Sequence, residues 1–287
     1  MKKINLLGSG RVGSTLARLW HEEGTFQVQD VLTQSLASAT QAVGFIGAGQ
    51  PVTALADLRD ADLWMLAVPD RAISSVATTL SQLNRWRTPP IAFHCSGSLS
   101  SSELVSLGQQ GWSVASAHCL LSFATPNDAI HQFAGTPCAL EGDALALGVL
   151  SDAFQKIGGH CFPLLEKNKL LYHAAAVFAT NFLPVLQATT DRLWQDSGMP
   201  DRLAAQVRGK LLHNAVANIL SLGPAAALTG PAARGDTPLV QRQAEAVAAW
   251  DAPTGDAYKA LSVLASKLAS QQTKPSDFGK ILPNKEK

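Results

Sequence analysis

Three glycines near the start of the chain constrain its fold more than any other feature. A short apolar run at residues 4–7 leads into Gly8-Ser9-Gly10-Arg11-Val12-Gly13, a G-x-G-x-x-G pattern, and an amphipathic helix follows. This order is typical of a dinucleotide-binding fold, although glycines also cluster in purely structural turns. We expect Gly8 to allow the tight turn, Gly10 to let a pyrophosphate approach the backbone, and Gly13 to let the helix lie against the strand. The positive helix start would attract the phosphates.

Composition excludes several other classes of protein. The chain has 287 residues, which is enough for two domains with separate cores. Its net charge of +1 gives no basic footprint for nucleic acid and no polybasic patch for a membrane. Gly8 ends any signal-peptide core after the four residues 4–7. Asn181 and Pro184 break the most apolar helix candidate. We therefore expect a soluble, cytoplasmic protein with no nucleic-acid or membrane partner.

The cysteines raise the question of a metal site. Three of the four directly follow a histidine, in His94-Cys95, His118-Cys119 and His160-Cys161, and the fourth is Cys138. Neighbouring residues on a strand point to opposite faces, so each pair could offer only one ligand to a shared zinc ion. Buried, reduced cysteines are therefore the favoured interpretation, and we expect no metal.

Strand and helix patterns alternate through the first half of the chain and then stop. We predict strands at 3–7, 26–32, 63–68, 90–94 and 112–117, with helices between them that include 37–43 and 71–83. The alternation predicts an α/β fold with a doubly wound, mostly parallel sheet and ligands beyond the carboxyl ends of its strands. After about residue 165 only helical periods remain, at 167–192, 200–222, 239–250 and 256–269. We therefore predict a dinucleotide-binding domain at 1–164, an all-helical domain at 165–270 and a polar tail at 271–287.

The end of the second predicted strand indicates which cofactor the glycine loop would bind. A carboxylate there bonds the ribose 2′-hydroxyl, whereas small polar or basic residues accommodate a 2′-phosphate. This chain has Thr33-Gln34-Ser35 after the strand, and Asp30 falls inside it. Arg11 in the glycine loop could add positive charge. We predict NADP(H) rather than NAD(H); alternatively, the three polar residues form an ordinary solvated loop.

Polar residues also follow the later strands and are expected at the same edge of the sheet. Val68-Pro69-Asp70 would place backbone beside the cofactor, with Asp70 as the N-cap of the next helix. Ser96 and Gly97 follow the next strand, and they could either hold a substrate carbonyl or carboxylate or form an ordinary turn. His118 ends the strand after that, as a structural or a substrate-binding histidine.

The helix predicted from residue 167 carries polar side chains at helical spacing. Lys169 and His173 share a face one turn apart, Tyr172 is adjacent, and Asn181 lies near the same stripe. One interpretation is a hydrogen-bonded core set with a solvated lysine. We favour the other, a cleft wall that offers a proton donor and an orienting amide.

A loop between the later helices adds one more candidate. Arg234 in the loop at 228–236 could bind an anionic substrate through two hydrogen bonds, or it could pair with Asp236 in its own loop.

Four motifs together resemble a bacterial family that joins a Rossmann-like domain to a C-terminal domain of unknown function. The motifs are His94-Cys95-Ser96-Gly97, Ser116-Ala117-His118, Tyr172-His173-Ala174-Ala175-Ala176 and Leu228-Thr229-Gly230-Pro231-Ala232-Ala233-Arg234-Gly235-Asp236. The resemblance covers nearly the whole chain except the tail. It places the chain in a wider group with phosphogluconate dehydrogenase-like proteins, pyrroline-carboxylate reductases and deazaflavin-dependent NADP reductases.

The resemblance implies an NADP(H)-dependent oxidoreductase that acts on a small, anionic metabolite. β-Hydroxyacid dehydrogenases carry a catalytic lysine followed four residues later by asparagine, whereas this chain has Lys169 followed by His173, so either could exchange the proton. Pyrroline-carboxylate reductases build their pocket between two subunits, which implies a homodimer through the helical domain. The remaining expected roles are substrate orientation by Asn181, substrate binding by Ser96, Gly97 and His118, and carboxylate binding by Arg234.

Two rival hypotheses remain open beside this one. The first is a dinucleotide-sensing protein that carries out no chemistry, because a fold does not dictate a function. The second is an enzyme that reduces a flavin-like carrier.

Overall fold

The first part of the chain forms one eight-stranded sheet in the computed structural model, which describes residues 1–83 and 90–273. The strands are β1 (Lys2–Leu7), β2 (Phe26–Leu32), β3 (Gln50–Val52), β4 (Leu63–Leu66), β5 (Ile91–His94), β6 (Ser113–Cys119), β7 (Pro137–Gly142) and β8 (His160–Pro163). Their spatial order is β3-β2-β1-β4-β5-β6-β7-β8, and only the β6–β7 pair is antiparallel among these strands. The chain reverses its winding beside β1, which is where doubly wound sheets bind ligands.

Helices cover this sheet and then make up most of the described chain that follows it. Those of the first part are α1 (Arg11–Glu22), α2 (Leu36–Ile46), α3 (Asp70–Gln82), α4 (Val105–Gly108), α5 (Pro126–Gln132), α6 (Ala144–Lys156) and α7 (Lys169–Ala176). Those that follow are α8 (Phe182–Asp196), α9 (Asp201–Leu222), α10 (Pro224–Ala227), α11 (Thr237–Trp250) and α12 (Ala252–Ala269). The predicted α/β class, with a mostly parallel sheet followed by a helical region, is confirmed.

Tryptophans lie at the centre of two apolar cores associated with the sheet. In one, Trp20 of α1 is fully buried, contacts Phe93 and Phe154 edge-to-face, and donates from its indole nitrogen to the Ala153 carbonyl at 3.0 Å. The other contains Trp64 of β4 and Trp112, which are also buried. Strands that are buried in this way read as continuous apolar runs, which is why their positions were predictable.

Cross-strand register places three polar side chains in a row near the middle of the sheet. His94 of β5 pairs with Ser116 of β6, and Ser116 pairs in turn with Glu141 of β7. Residues that are directly opposite on neighbouring strands project from the same face. All three are buried, so the row lies inside the protein.

Three strands and one helix boundary differ from the sequence-based expectations. The five predicted strands are present, but β3, β7 and β8 were not predicted because each contains a proline. The helix predicted at 167–192 is interrupted by a π-helical turn, Val177–Asn181, between α7 and α8. We predicted a break at Pro184, which was wrong: Pro184 lies inside α8, three residues after that turn. Wider turns of this kind readily accommodate irregularity in helical hydrogen bonding.

Contacts divide the chain into two compact units, Met1–Asn181 and Phe182–Lys287. Helix α7 therefore belongs to the first unit, although the domain boundary predicted from the sequence precedes it. Residues 270–273 form a short 3₁₀ helix, and the rest of the predicted tail lies outside the described residues.

Apolar side chains are unusually exposed along the helices after residue 165. The stretch Glu166–Asp196 is long and apolar enough to cross a membrane by length and composition, and none of its most apolar window is buried. Exposed apolar residues in the second unit include Phe182, Val185, Leu186, Leu211, Val216, Ile219, Leu220, Leu222, Val263 and Leu264. Large exposed apolar side chains in this number are uncommon in soluble monomers.

Candidate functional site

The glycine loop has the geometry that its sequence pattern predicts. Gly8 has a φ of +85°, and a Cβ there would lie 2.5 Å from the Ala67 carbonyl oxygen. A Cβ on Gly13 would lie 2.7 Å from the Ala67 Cβ, so α1 packs closely against the end of β4. A Cβ on Gly10, by contrast, would meet open space. Two of the glycines therefore serve the fold, and the third leaves room for a ligand.

Helix α1 begins at this loop with a positive end. Gly10 precedes the helix and has no side chain to cap it, and Arg11 is exposed at its first position. The Arg11 guanidinium donates to the Phe123 carbonyl at 3.4 Å. Backbone N–H groups at a helix start, together with the dipole, favour an anion at this position. Ser9 and Val12, the remaining loop candidates, are partly buried.

The carboxylate nearest the end of β2 is not available to a ribose. Asp30 is 1% exposed and forms an ion pair with Arg59, with 2.5 Å between Arg59 Nη2 and Asp30 Oδ1. The hydrogen bond to Asp30 also raises the pKa of Arg59. Asp30 thus lies inside β2, as predicted, and serves as a buried structural partner.

Beyond β2 the chain exposes small polar side chains. Gln34 and Ser35 are exposed, and the Ser35 hydroxyl caps α2 by accepting from the Ser38 N–H at 3.2 Å. The Thr33 hydroxyl donates to the Ser35 carbonyl at 2.8 Å. This loop is therefore ordered by local hydrogen bonds and presents no carboxylate.

Asp70 does not cap α3, contrary to the prediction. The helix begins at Asp70 itself, after Val68 and Pro69. The Asp70 carboxylate instead accepts from the hydroxyls of Ser96 at 2.8 Å and Ser98 at 2.9 Å. It therefore links the start of α3 to the turn that follows β5. Ser96 and Ser98 lie 26 and 28 positions after Asp70 in the chain.

The Ser96 hydroxyl is already occupied by the protein. It donates to Asp70 and accepts from the Leu99 N–H at 3.0 Å, and the residue is 6% exposed. Gly97, next in the chain, has a different role. A Cβ on Gly97 would lie 2.5 Å from His173 Nδ1 and 2.8 Å from His118 Nε2. Only glycine allows the turn to approach both histidines this closely.

These two histidines differ in their hydrogen bonding. His118 Nδ1 lies 2.8 Å from the Tyr172 hydroxyl, and burial raises the pKa of Tyr172, which keeps the phenol protonated. Burial also lowers the pKa of His118 to about 4, with contributions from the charges of His173 and Lys169. His118 is therefore neutral at physiological pH. His173 Nδ1 is buried and has no hydrogen-bond partner among the described residues.

Lys169 contacts the turn that lies against this pair of histidines, and its side chain is almost completely buried. It is 2% exposed, and its Nζ donates to the Ser96 carbonyl at 3.2 Å and to the Ser116 hydroxyl. Its Nζ also lies 3.6 Å from Glu141 Oε1. Burial lowers the pKa of Lys169, and the charge on Glu141 opposes that effect. The predicted solvated or cleft-lining lysine is thus an enclosed one.

His94 stabilises the same turn through hydrogen bonds to its backbone. Its Nδ1 accepts from the Ser96 N–H at 3.2 Å, so its Nε2 carries the proton and donates to the Ser100 carbonyl at 2.9 Å. Burial lowers the pKa of His94 to about 4, which keeps the ring neutral. The sequence places His94 beside a cysteine and within the motif His94-Cys95-Ser96-Gly97, but it assigns the side chain no role, because that role depends on how the following turn folds.

The structure brings together five of the predicted site residues in the first unit: Ser96, Gly97, His118, Lys169 and His173. Asn181 is exposed, and its side-chain oxygen accepts from the Thr180 hydroxyl at 2.8 Å. Arg234 is exposed in the second unit. Asp236 caps α11 through the Leu239 N–H at 3.2 Å, and no ion pair joins it to Arg234 in the described part of the chain.

The four cysteines are free thiols. Cys119 and Cys138 are buried on neighbouring strands, with 3.5 Å between their sulfurs. Among residues 1–83 and 90–273, no group of three or more His, Cys, Asp or Glu side chains is arranged to hold a metal ion.

Family models match two consecutive parts of the chain. Residues 2–118 match a Rossmann-like domain, and residues 136–264 match a domain of unknown function, DUF2520. No curated protein matches the chain.

Solved structures share the fold along nearly the whole length. A proposed NADP oxidoreductase from Bacteroides fragilis is 20% identical with a TM-score of 0.74, over 93% of this chain and 98% of that one. A protein from Thermotoga maritima is 23% identical with a TM-score of 0.73, over 94% and 100%. A pyrroline-5-carboxylate reductase from Coxiella burnetii is 14% identical with a TM-score of 0.56, over 96% and 99%. These similarities establish a shared fold.

Proposed function

The chain joins a Rossmann-like domain to a DUF2520 domain, and from that premise we propose that it is an NADP(H)-dependent oxidoreductase. It would transfer a hydride between the nicotinamide and a small, anionic metabolite. The observation that carries this proposal is that the three glycines of the glycine loop are packed differently. Gly8 and Gly13 are packed against Ala67, while Gly10 opens onto free space at the start of α1. This is the arrangement that a pyrophosphate requires.

Two features support NADP(H) over NAD(H). Asp30, the carboxylate that could bind a ribose hydroxyl, is held inside β2 by Arg59. The loop Thr33-Gln34-Ser35 carries no negative charge, and the guanidinium of Arg11 is exposed at the start of α1. A 2′-phosphate would meet no carboxylate repulsion in this loop and would find a cation nearby.

The residues around Gly97 support a proton-transfer role for His173. A bound nicotinamide supplies or accepts the hydride, which is the cofactor's own chemistry. Of the two groups that could exchange the proton, His173 is favoured because its Nδ1 has no hydrogen-bond partner within residues 1–83 and 90–273, whereas Lys169 is enclosed by three groups. Neutral His118 would serve as a hydrogen-bond partner for the substrate.

The second unit would contribute substrate binding and assembly. Arg234 is exposed and could bind a carboxylate, and Asn181, at the end of the first unit, could orient the substrate. The exposed apolar side chains on α8, α9 and α12 support a homodimer through the helical domain, because monomers rarely leave such surface in water. We propose a soluble, cytoplasmic homodimer on this basis.

A specific observation favours the rival, non-catalytic function. Lys169, Ser96 and Ser116 satisfy one another's hydrogen bonds within the protein, as a structural cluster would. A dinucleotide-sensing protein would keep the glycine loop and would need no proton donor.

The first test is fluorescence titration of the protein with NADPH and NADH. We expect NADPH to bind more tightly than NADH. Gly10→Ala should fold normally, because its Cβ meets open space, yet weaken NADPH binding about tenfold by intruding on the pyrophosphate. Gly44→Ala in α2 is the matched control, since its Cβ also meets open space, and it should leave NADPH affinity unchanged. A wild-type protein that binds neither nucleotide would overturn the proposal.

A further inference from the structure

A buried carboxylate outside the predicted site lies next to the candidate lysine. Glu141 is 7% exposed and Lys169 is 2% exposed, and 3.6 Å separates Lys169 Nζ from Glu141 Oε1. Charged side chains are almost never buried to this extent unless they are paired. Apolar residues of similar size often stabilise a core at least as well as such a pair does, so stability alone does not explain it.

The Glu141 carboxylate has a second set of contacts, in the turn that follows β5. Its Oε1 accepts from the Ser101 N–H at 2.7 Å, and its Oε2 accepts from the Ser101 hydroxyl at 2.8 Å. At the other end of this turn, Lys169 Nζ donates to the Ser96 carbonyl at 3.2 Å. The ion pair therefore holds the turn 96–101 at both of its ends.

We propose that Glu141 is the positioning residue of the site: by holding Lys169 and Ser101, it fixes the turn 96–101 so that Gly97 lies against the two histidines. The inference rests on the proposed function, because His173 exchanges a proton and His118 binds a substrate only if the protein is an oxidoreductase. Glu141 acts through the turn and through Lys169.

The charge of Lys169 also affects the pKa of His118. Burial lowers the pKa of Lys169 while Glu141 raises it, so loss of Glu141 would make the ammonium easier to deprotonate. The positive charge of Lys169 is in turn one of the causes, after burial and His173, of the lowered pKa of His118. Titratable groups that face this ammonium from the surrounding elements are Asp70, His94, Cys95, His118 and Glu141.

The test compares two glutamates that bond to the same turn. Glu141→Gln removes the buried carboxylate and keeps its shape. Glu166→Gln is the matched control, because the exposed Glu166 accepts from the Ser100 hydroxyl at 2.7 Å without forming an ion pair with Lys169. Nuclear magnetic resonance of lysine ¹³Cε, histidine ring and glycine amide signals follows both variants through a pH titration.

We expect Glu141→Gln to lower the pKa of the Lys169 ammonium and to shift the signals of Gly97, His118 and His173. Glu166→Gln should leave all of these at their wild-type positions. An unchanged lysine titration together with an unchanged Gly97 amide in Glu141→Gln would overturn the proposal. Equal shifts in both variants would overturn it as well.

A double variant covers the case in which Glu141→Gln does not fold. Glu141→Gln combined with Lys169→Met removes both buried charges, so neither is left unpaired. It should fold and show a His118 pKa above the wild-type value of about 4, because the lysine charge is gone. A wild-type His118 titration would contradict the proposal. Failure of the double variant to fold would also contradict it, since the pair would then serve the fold rather than the site.

Nucleotide binding is measured on the same samples to separate this inference from the proposed function. Glu141 contacts the turn after β5, whereas the predicted phosphate site is the loop Gly8–Gly13, so every folded variant should bind NADPH as the wild type does. If the wild type itself binds no NADPH, the proposed function fails. The resonance measurements then still decide whether Glu141 positions the turn.

Discussion

The glycine loop and the polar cluster around Gly97 lie in the same compact unit, Met1–Asn181, yet they are built in opposite ways. At the glycine loop the essential feature is missing side chains: Gly8 and Gly13 have no room for a Cβ, and Gly10 leaves space in front of a helix. Around Gly97 the essential feature is an excess of buried polar side chains, including Lys169 and Glu141. One region offers backbone to a ligand, and the other offers a desolvated charge network.

This difference determines what each region tolerates. A backbone site depends on local geometry, so a single added methyl group can block it while the fold survives. A buried charge network depends on mutual compensation, so the loss of one member leaves another uncompensated. The following predictions separate the two regions, beginning with the largest expected effect.

Lys169→Met should break the cluster while sparing the glycine loop. Unpaired burial of Glu141 should lower the free energy of unfolding at neutral pH by about 3–5 kcal/mol in denaturant titrations. Lys167→Met, at an exposed position two residues earlier, should cost less than about 0.5 kcal/mol. NADPH affinity should be unchanged in both. A parallel loss of NADPH affinity and stability in Lys169→Met would show that the two regions are not independent.

Acid should destabilise the cluster through His94. Its pKa is about 4 in the folded protein and 6.5 ordinarily, so the unfolded state binds more protons between these values. The stability that neutral, buried His94 contributes is fully present above pH 6.5. As the pH drops towards 4, its loss lowers the free energy of unfolding by about 3 kcal/mol. Unfolding measured across this range should show the fall. His94→Gln should reduce the fall by about half, because His118, whose pKa is also lowered to about 4, contributes a similar loss, whereas His160→Gln, at an exposed position, should leave the fall unchanged. An unchanged slope in His94→Gln would refute the assignment.

Gln34→Glu should alter the cofactor preference while sparing the cluster. A carboxylate after β2 would repel a 2′-phosphate and bind a ribose hydroxyl, so the affinity ratio of NADPH to NADH should fall about tenfold. Gln27→Glu adds the same charge at an exposed position near the other end of β2 and should leave the ratio unchanged. Equal effects of the two variants would argue against a phosphate site beside Gln34.

The two regions also differ in how much the sequence reveals. The glycine loop is contained in six consecutive residues, and its pattern predicts both the turn and the packing that the structure shows. Strand ends gave Ser96, Gly97 and His118 as separate candidates, and helical spacing gave Lys169 and His173. The shared position of Ser96, Gly97 and His118 at the carboxyl ends of the strands follows from the predicted topology, whereas Lys169 and His173 were assigned to the helical domain.

The rest of the cluster depends on contacts that a linear pattern does not contain. Glu141 was missed because β7 begins at Pro137 and ends at Gly142, residues that disfavour strands, so no strand was predicted to carry it. Asp70 was expected to cap a helix, but its partners Ser96 and Ser98 are brought to it by the pairing of β4 with β5. The enclosure of Lys169 likewise requires groups from three other segments of the chain, namely the Ser96 carbonyl and the side chains of Ser116 and Glu141.

The antiparallel pairing of β6 with β7 gives the buried ion pair a role during folding. Ser116 lies opposite Glu141 in the native register, and Lys169 contacts both. Because side chains alternate between faces, a slip of one residue would turn Glu141 to the other side of the sheet and leave a buried ammonium without a counter-charge. Mispaired forms of β6 and β7 are therefore destabilised by electrostatics as well as by the loss of apolar packing. The native register is the one that places Glu141 next to Lys169.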